Sequence, residues 1–315
     1  MVKITPREFK VLADYILSLS GIALDASKTY LIETRLAPLM KETGLASFSE
    51  LYYRARADRS GAFQRRIVDA VTTNETFFFR DKAPFELLRH KILPDLVDAR
   101  RARSSGRLPV SLRIWSAACS TGQEVYSIAI VVRELLQSPS GFNVSILGTD
   151  ISNEAVKKAS YGHYNRFEVE RGFPKEKLSR YFTARGTEWK VNDRIRAMVR
   201  FKKHNLMEPL AGLGRFDIVF CRNVAIYFKL EDRKKLFNRI AQVLDPPGYL
   251  LIGASELLSG VCDLFEPKRY LRSVFYQLKE GQAKKTAPAG AKARPPLRPS
   301  VAGAGEGSSP FKRSG

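Results

Sequence analysis

Four apolar runs of this 315-residue chain end in small and polar residues that a buried core does not need. Ser120, Gly122 and Glu124 follow the run 112–118, Asp150 follows 143–148, Asn205 follows 198–201, and Arg222 with Asn223 follows 216–221. A carboxylate after a second strand suits the two hydroxyls of a ribose, because it accepts both hydrogen bonds. The turn 118–124 has one glycine and matches neither G-x-G-x-x-G nor Gly-Lys-Ser/Thr, which argues against a dinucleotide or a nucleoside triphosphate. Glu124 at the next helix start repels a pyrophosphate and favours a cation or an amine. A ribose-bearing ligand with an ammonium group and no phosphates points to S-adenosylmethionine. Taken alone, Asp150 reads as an N-terminal charge on the following helix and Asn223 as a loop cap. The four strand ends together make the case for a site.

The elements that must place these residues alternate. Strand 112–118, helix 123–137, strand 143–148, a helix capped by Ser152, strand 198–201, strand 216–223, helix 230–244 and strand 249–254 follow in order. Such alternation builds a doubly wound, mostly parallel sheet whose strand ends share one crevice. Asp245-Pro246-Pro247-Gly248 reads as a turn, 271–278 as a closing strand, and 180–196 as a small hairpin or short helices turning at Gly186. Upstream, residues 1–80 read as a helical bundle. Its first helix is started by Thr5-Pro6 and stopped by Gly21, and its second stops near Gly44. Residues 81–103 read as one more helix, kinked or divided at Pro94. Between bundle and helix lies Asn74-Glu75-Thr76-Phe77-Phe78-Phe79-Arg80. The three Phe suit a domain junction, and the polar flank Asn74, Thr76 and Arg80 suits a bound polar ligand.

No run of 18 apolar residues occurs and the N-terminus has no apolar signal region, so a cytoplasmic protein without membrane insertion is expected. Cys119, Cys221 and Cys262 are too few and too scattered for a disulfide framework or a metal cluster. The formal charge of +21 fits nucleic acid, anionic lipid or an acidic protein surface. Basic residues mark the bundle (Arg35, Arg54, Arg56, Arg59, Arg65, Arg66), the linker and the tail 281–315, which has a disordered composition.

Four stretches, 74–80, Trp115 to Glu124, Thr149-Asp150-Ile151-Ser152 and Phe220 to Phe228, together resemble the motifs of the chemotaxis receptor glutamate methyltransferases, the CheR family. The resemblance runs over roughly residues 5–279. It implies an α/β fold: a Rossmann-like class I methyltransferase with a doubly wound seven-stranded sheet and a small β-subdomain, preceded by an all-α N-terminal domain. The boundaries expected are 1–80 for a helical substrate-docking domain, 81–111 for a connecting helix and linker, 112–280 for the S-adenosylmethionine-binding domain with its subdomain around 165–200, and 281–315 for the tail. The implied cofactor contacts are Asn74, Thr76, Arg80, Glu124, Asp150, Asn205, Leu206, Arg222 and Asn223, with Tyr227 near the methyl group. The implied substrate is a glutamate side chain on the helical bundle of a methyl-accepting chemoreceptor, and a monomer without a nucleic-acid partner is expected. Tyr227 and Arg222 are the residues expected to orient the acceptor carboxylate, and His90, His163 and His204 need no catalytic role. The short insert at 186–196 argues against docking on a receptor's C-terminal peptide. Two other functions fit part of the pattern. The basic charge alone suits an RNA methyltransferase, and the cofactor pocket alone suits a non-enzymatic regulator of a chemosensory pathway.

Overall fold

Side-chain caps at Thr5 and Ser47 start two of the four N-terminal helices, and left-handed glycines end two of them. The computed structural model describes residues 2–103, 109–136 and 141–282. Most of the basic linker, the loop at 137–140 and the tail from 283 onward lie outside the described residues, and with them the expectation of a disordered tail. Helix α1 (Pro6–Ser20) starts on a capping box in which Thr5 and Glu8 bond each other's main-chain N–H, with Pro6 at the first turn. It ends at Gly21 in the left-handed conformation, as α2 (Thr29–Thr43) does at Gly44. Helices α3 (Phe48–Ala57) and α4 (Ala62–Val71) complete the bundle around a core that includes Leu12, Ile16, Ile32, Leu36, Phe48, Leu51 and Ile67.

Helices α5 (Ala83–Leu87) and α6 (Leu93–Arg103) are joined by a π-helical turn at Leu88–Ile92. The irregular turn directly precedes Pro94, whose missing N–H would interrupt a regular ladder.

The α/β region follows. Its elements are β1 (Val110–Ala117), α7 (Gln123–Leu135), β2 (Phe142–Asp150), α8 (Asn153–Tyr161), β3 (His163–Asn165), α9 (Arg166–Glu170), α10 (Leu178–Tyr181), β4 (Phe182–Arg185), β5 (Glu188–Val191), α11 (Asp193–Arg196), β6 (Val199–Lys203), β7 (Phe216–Cys221), α12 (Leu230–Val243), β8 (Leu244–Ile252), β9 (Phe265–Tyr270) and β10 (Ser273–Leu278). Seven strands form one sheet in the order β6-β2-β1-β7-β8-β10-β9, with β10 antiparallel to both neighbours. The chain winds outward from β1 through β2 to β6, then returns to β7 on the other side of β1. The switch point of this α/β fold therefore lies between β1 and β7. Strands β3, β5 and β4 form a second, antiparallel sheet whose β4–β5 hairpin turns at Gly186.

Two expectations are corrected. Asp245 to Gly248 is no separate turn. It is an irregular stretch inside β8, where Phe216 and Ile218 of β7 face Leu244 and Tyr249, so three extra residues bulge out of the ladder. Proline has no N–H to give to a ladder, and a bulge accommodates it. The second correction is β9, which was not expected as a strand.

Apolar side chains cover both faces of the main sheet. One face packs Leu112, Ile114 and Ile146 against α7 and the second sheet, and the other packs Trp115, Val219 and Leu250 against α12. Phe78, fully buried, sets its ring edge-to-face on Tyr164, Phe173 and Phe182, locking the 74–80 junction to the second sheet. Phe77 is half-buried, with the guanidinium of Arg171 4.7 Å from its ring centre.

Candidate cofactor and acceptor site

A cavity of about 390 Å³ opens at the carboxyl edge of the sheet, beneath the loop between α1 and α2. Ser120, Glu124, Asp150, Asn205, Leu206, Arg222, Asn223 and Tyr227 line it, with Thr76 and Arg80 from the junction. Asn74 does not line it. Its carbonyl accepts the Ser120 hydroxyl at 2.9 Å, and its side-chain oxygen is buried with no protein partner.

The turn after β1 is tightly shaped. Ala118, Ser120 and Gly122 all have positive φ, at 55°, 50° and 94°. The residues at and between these strained positions are secured from other elements. The Cys119 N–H reaches the Thr149 carbonyl at 2.9 Å, the Ser120 N–H reaches Asp150 Oδ2 at 2.8 Å, and the Tyr164 hydroxyl donates to the Thr121 carbonyl at 2.7 Å. A side chain at Gly122 would meet Ala159 Cβ at 2.8 Å, so glycine is required there for packing as well as for φ.

The charges of the site form a buried network. Asp150 is 4% exposed, and its other oxygen accepts the Ser152 N–H at 2.9 Å. Burial raises its carboxyl above the usual range, against the pull of those N–H bonds. Glu124 accepts the Ser116 hydroxyl at 2.8 Å on one oxygen and Arg222 Nη1 at 2.7 Å on the other. Arg222, its side chain 2% exposed, also donates to Asp81 Oδ2 at 2.7 Å and to the Arg80 carbonyl at 3.1 Å. Its two terminal nitrogens are thus taken up by two carboxylates and one carbonyl, while its Nε is buried with no protein partner. Asn223 leaves β7 at φ +57°, a conformation that asparagine tolerates better than most residues. Tyr227 follows on a short 3-10 turn, Ala225–Tyr227.

The helical bundle closes over this edge. The Ala23 N–H donates to the Tyr227 carbonyl at 2.9 Å, Ile22 bridges Phe228, and the Asn205 side-chain amide donates to the Leu19 carbonyl at 2.9 Å. Ile22, Ala23, Leu24, Lys28 and Arg35 therefore form a second wall. Sequence reasoning missed Ile22 to Leu24, since they act through main chain and apolar surface. Of the basic bundle residues, Arg35 reaches the cavity and donates to the Val71 carbonyl and to Thr73. Arg66 pairs with Glu42, and Arg54 lies over the Phe63 ring.

The residues present fit S-adenosylmethionine. Each Asp150 oxygen uses one lone pair on a main-chain N–H and keeps capacity for a ribose hydroxyl. Glu124 supplies the anionic group that an ammonium requires, and the volume holds a ligand of that size without a phosphate cradle.

The comparisons with known proteins agree with this geometry. The family model described as "CheR methyltransferase, SAM binding domain" matches residues 74–272, and "CheR methyltransferase, all-alpha domain" matches residues 7–72. Chemotaxis protein methyltransferase Cher2 of Pseudomonas putida is 41% identical over 82% of this chain and 93% of its own length. Chemotaxis protein methyltransferase 1 of Pseudomonas aeruginosa is 39% identical over 86% of this chain and 98% of its own. The chemotaxis protein methyltransferase of Vibrio parahaemolyticus is 40% identical over 88% and 99%. The chain belongs to the CheR methyltransferase family, with S-adenosylmethionine as its cofactor.

Proposed function

We propose that this protein transfers a methyl group to glutamate side chains on the cytoplasmic helical bundle of a chemoreceptor, giving glutamate methyl esters and S-adenosylhomocysteine. The observation that favours this reading is the seam at Tyr227. There the polar sheet wall meets the basic helical wall at the cavity lining, and we read this seam as the place where the acceptor side chain meets the cofactor.

The chemistry asks little of the protein beyond placement. Bound S-adenosylmethionine supplies an electrophilic sulfonium methyl. A glutamate with a pKa of about 4.3 is ionised at neutral pH, so its oxygen attacks in line and no general base is needed. The rate enhancement then comes from near-attack geometry. We assign Asp150 to the ribose hydroxyls and Glu124 to the ammonium group, with Thr76, Arg80, Asn205, Leu206 and Asn223 enclosing the rest and Asn74 bracing the turn. Tyr227 is assigned to the acceptor. Arg222, expected to orient that acceptor, has its Nη donors turned to Glu124 and Asp81, and its proposed role is to hold Glu124 in place. Residues 1–80 are proposed to dock the substrate, whose Glu-rich helices suit the basic bundle face and speed encounter. No helix among the described residues is long and apolar enough to cross a membrane, and the proposed site of action is the cytoplasm.

Incubating the protein with labelled cofactor and a receptor cytoplasmic fragment, then mapping the label by mass spectrometry, tests this. Base-labile methyl esters on glutamates are the expected result. Label in RNA alone would make it a nucleic-acid methyltransferase, and cofactor binding with no transfer to any receptor would make it a regulator.

A further inference from the structure

Strands β7 and β8 end side by side, and one carboxylate ties their ends together. Glu256 Oε2 accepts the main-chain N–H of Asn223 at 2.8 Å and that of Gly253 at 2.6 Å. The Glu256 N–H closes back on the Gly253 carbonyl at 2.9 Å. The residue is 9% exposed, and its second oxygen is buried without a hydrogen-bond partner. No cation pairs with it among the described residues. A carboxylate in that setting is costly, and packing alone gives no reason for it.

Its geometry does give a reason. The β7 ladder ends at Cys221, paired with Ala117 and Ile252, so the N–H of Asn223 has no strand partner. Asn223 also sits in the left-handed region. Something must accept its N–H and hold that φ, because Arg222 precedes it and the Ala225–Tyr227 turn follows. Glu256 does this from the next strand end. The fit is close: a Cβ on Gly253 would lie 2.6 Å from Glu256 Oε2 and 2.9 Å from Asn223 Nδ2.

We propose that Glu256 is a positioning residue of the cofactor site, its Oε2 fixing Asn223 and the 222–227 segment against the cavity. It does not line the cavity. The proposal rests on Asn223 being a cofactor contact, and its test is independent of the methyl acceptor.

The test titrates S-adenosylhomocysteine into the full-length protein by calorimetry and records thermal midpoints of the same samples. Glu256→Gln keeps a carbonyl oxygen able to accept both N–H groups and should bind within about 3-fold of wild type. Glu256→Ala, which leaves the Asn223 and Gly253 N–H groups without an acceptor, should bind at least about 10-fold more weakly at a temperature well below its own thermal midpoint. A merely structural residue would shift the midpoint and leave affinity alone. Glu256→Met, which fills the same space without an oxygen acceptor, should weaken binding similarly, and it decides the matter should Glu256→Ala fail to fold. Wild-type affinity in Glu256→Ala or in Glu256→Met overturns the proposal. So does Glu256→Gln binding as weakly as Glu256→Ala, because the acceptor geometry would then not be what matters. Loss of receptor methylation with these affinities intact would count against the acceptor reading only.

Discussion

The two walls of the cavity are built differently. On the sheet wall the charged side chains are held in place: Asp150 is gripped by two main-chain N–H groups, and Glu124, Arg222 and Asp81 form one chain of ion pairs. Of seven non-glycine residues with positive φ among the described residues, six stand on this wall or its junction: Phe79, Asp81, Lys82, Ala118, Ser120 and Asn223. The helical wall has none of these, and it meets the sheet wall mainly through main-chain contacts at Ile22, Ala23 and Leu19. Strain held in place by surrounding structure is a mark of preorganisation. The sheet wall is thus shaped in advance for a small ligand that is the same in every cycle. The helical wall can accommodate a side chain delivered on a large partner.

The comparison breaks most readily at Arg222. Arg222→Ala leaves Glu124, 13% exposed, without its cation, while Asp81, 40% exposed, keeps access to water. Breaking the buried Arg222–Glu124 pair in this way costs about 3–5 kcal/mol. Urea unfolding should show that loss, and S-adenosylhomocysteine affinity should fall with it. Stability within about 1 kcal/mol of wild type would mean that the network is no more than a surface ion pair.

That network was not legible in the sequence, although its members were. Glu124 and Arg222 stand 98 residues apart, and nothing local to either shows that they pair. The strand ends themselves were legible, because a small-residue turn and a carboxylate after apolar runs have few structural uses. The helix boundaries were legible for a similar reason: Thr5-Pro6, Gly21, Gly44 and Ser152 act within a few residues of themselves. Strand β9 was not. Phe265-Glu-Pro-Lys-Arg-Tyr is charged, mostly exposed and contains Pro267, as edge strands are when they avoid pairing with other chains, and such a run reads as loop. Ile22 to Leu24 were invisible as site residues because apolar side chains and main-chain donors carry no signature of ligand binding.

Tyr227 sits where the walls meet and should separate their functions. Tyr227→Phe removes one hydroxyl and keeps the ring. If that hydroxyl orients the acceptor, kcat falls about 10–100-fold while the cofactor KM stays near wild type. Steady-state kinetics with a receptor fragment reads this directly, and a changed cofactor KM with normal kcat would move Tyr227 to the cofactor wall.

Acid should act on the sheet wall first. Burial raises the Asp150 carboxyl, so the folded chain holds that proton more tightly than the unfolded chain does. By linkage, the stability contributed by this group is present at low pH and is lost as pH rises through the raised pKa. Cofactor binding has the opposite sign, because ribose hydroxyls need the ionised carboxylate. Affinity should therefore drop as pH falls, starting above the range of an ordinary aspartate and approaching about 10-fold per pH unit below the folded pKa. Calorimetric titration across this range, with Asp150→Asn as a pH-insensitive reference, checks it. A wild-type profile as flat as that of Asp150→Asn would remove Asp150 from the ribose.

The smallest effect belongs to the helical wall and sharpens the comparison most. Lys28 lines the cavity, forms no close ion pair among the described residues, with Asp25 as a nearby acidic influence, and is only partly buried. Nothing in the sheet wall leans on it, so Lys28→Ala should leave folding and S-adenosylhomocysteine affinity unchanged. An acceptor carboxylate approaching between the walls would still feel the lost charge. At a solvent-accessible position such a charge changes encounter more than final affinity, and salt screens it. The receptor KM should rise about 3-fold at low ionic strength and converge on the wild-type value as salt is raised. Equal receptor KM values at low salt would show that the basic helical wall does not face the acceptor. A loss of cofactor affinity would show that the two walls are one structure, with the helical side as preorganised as the sheet.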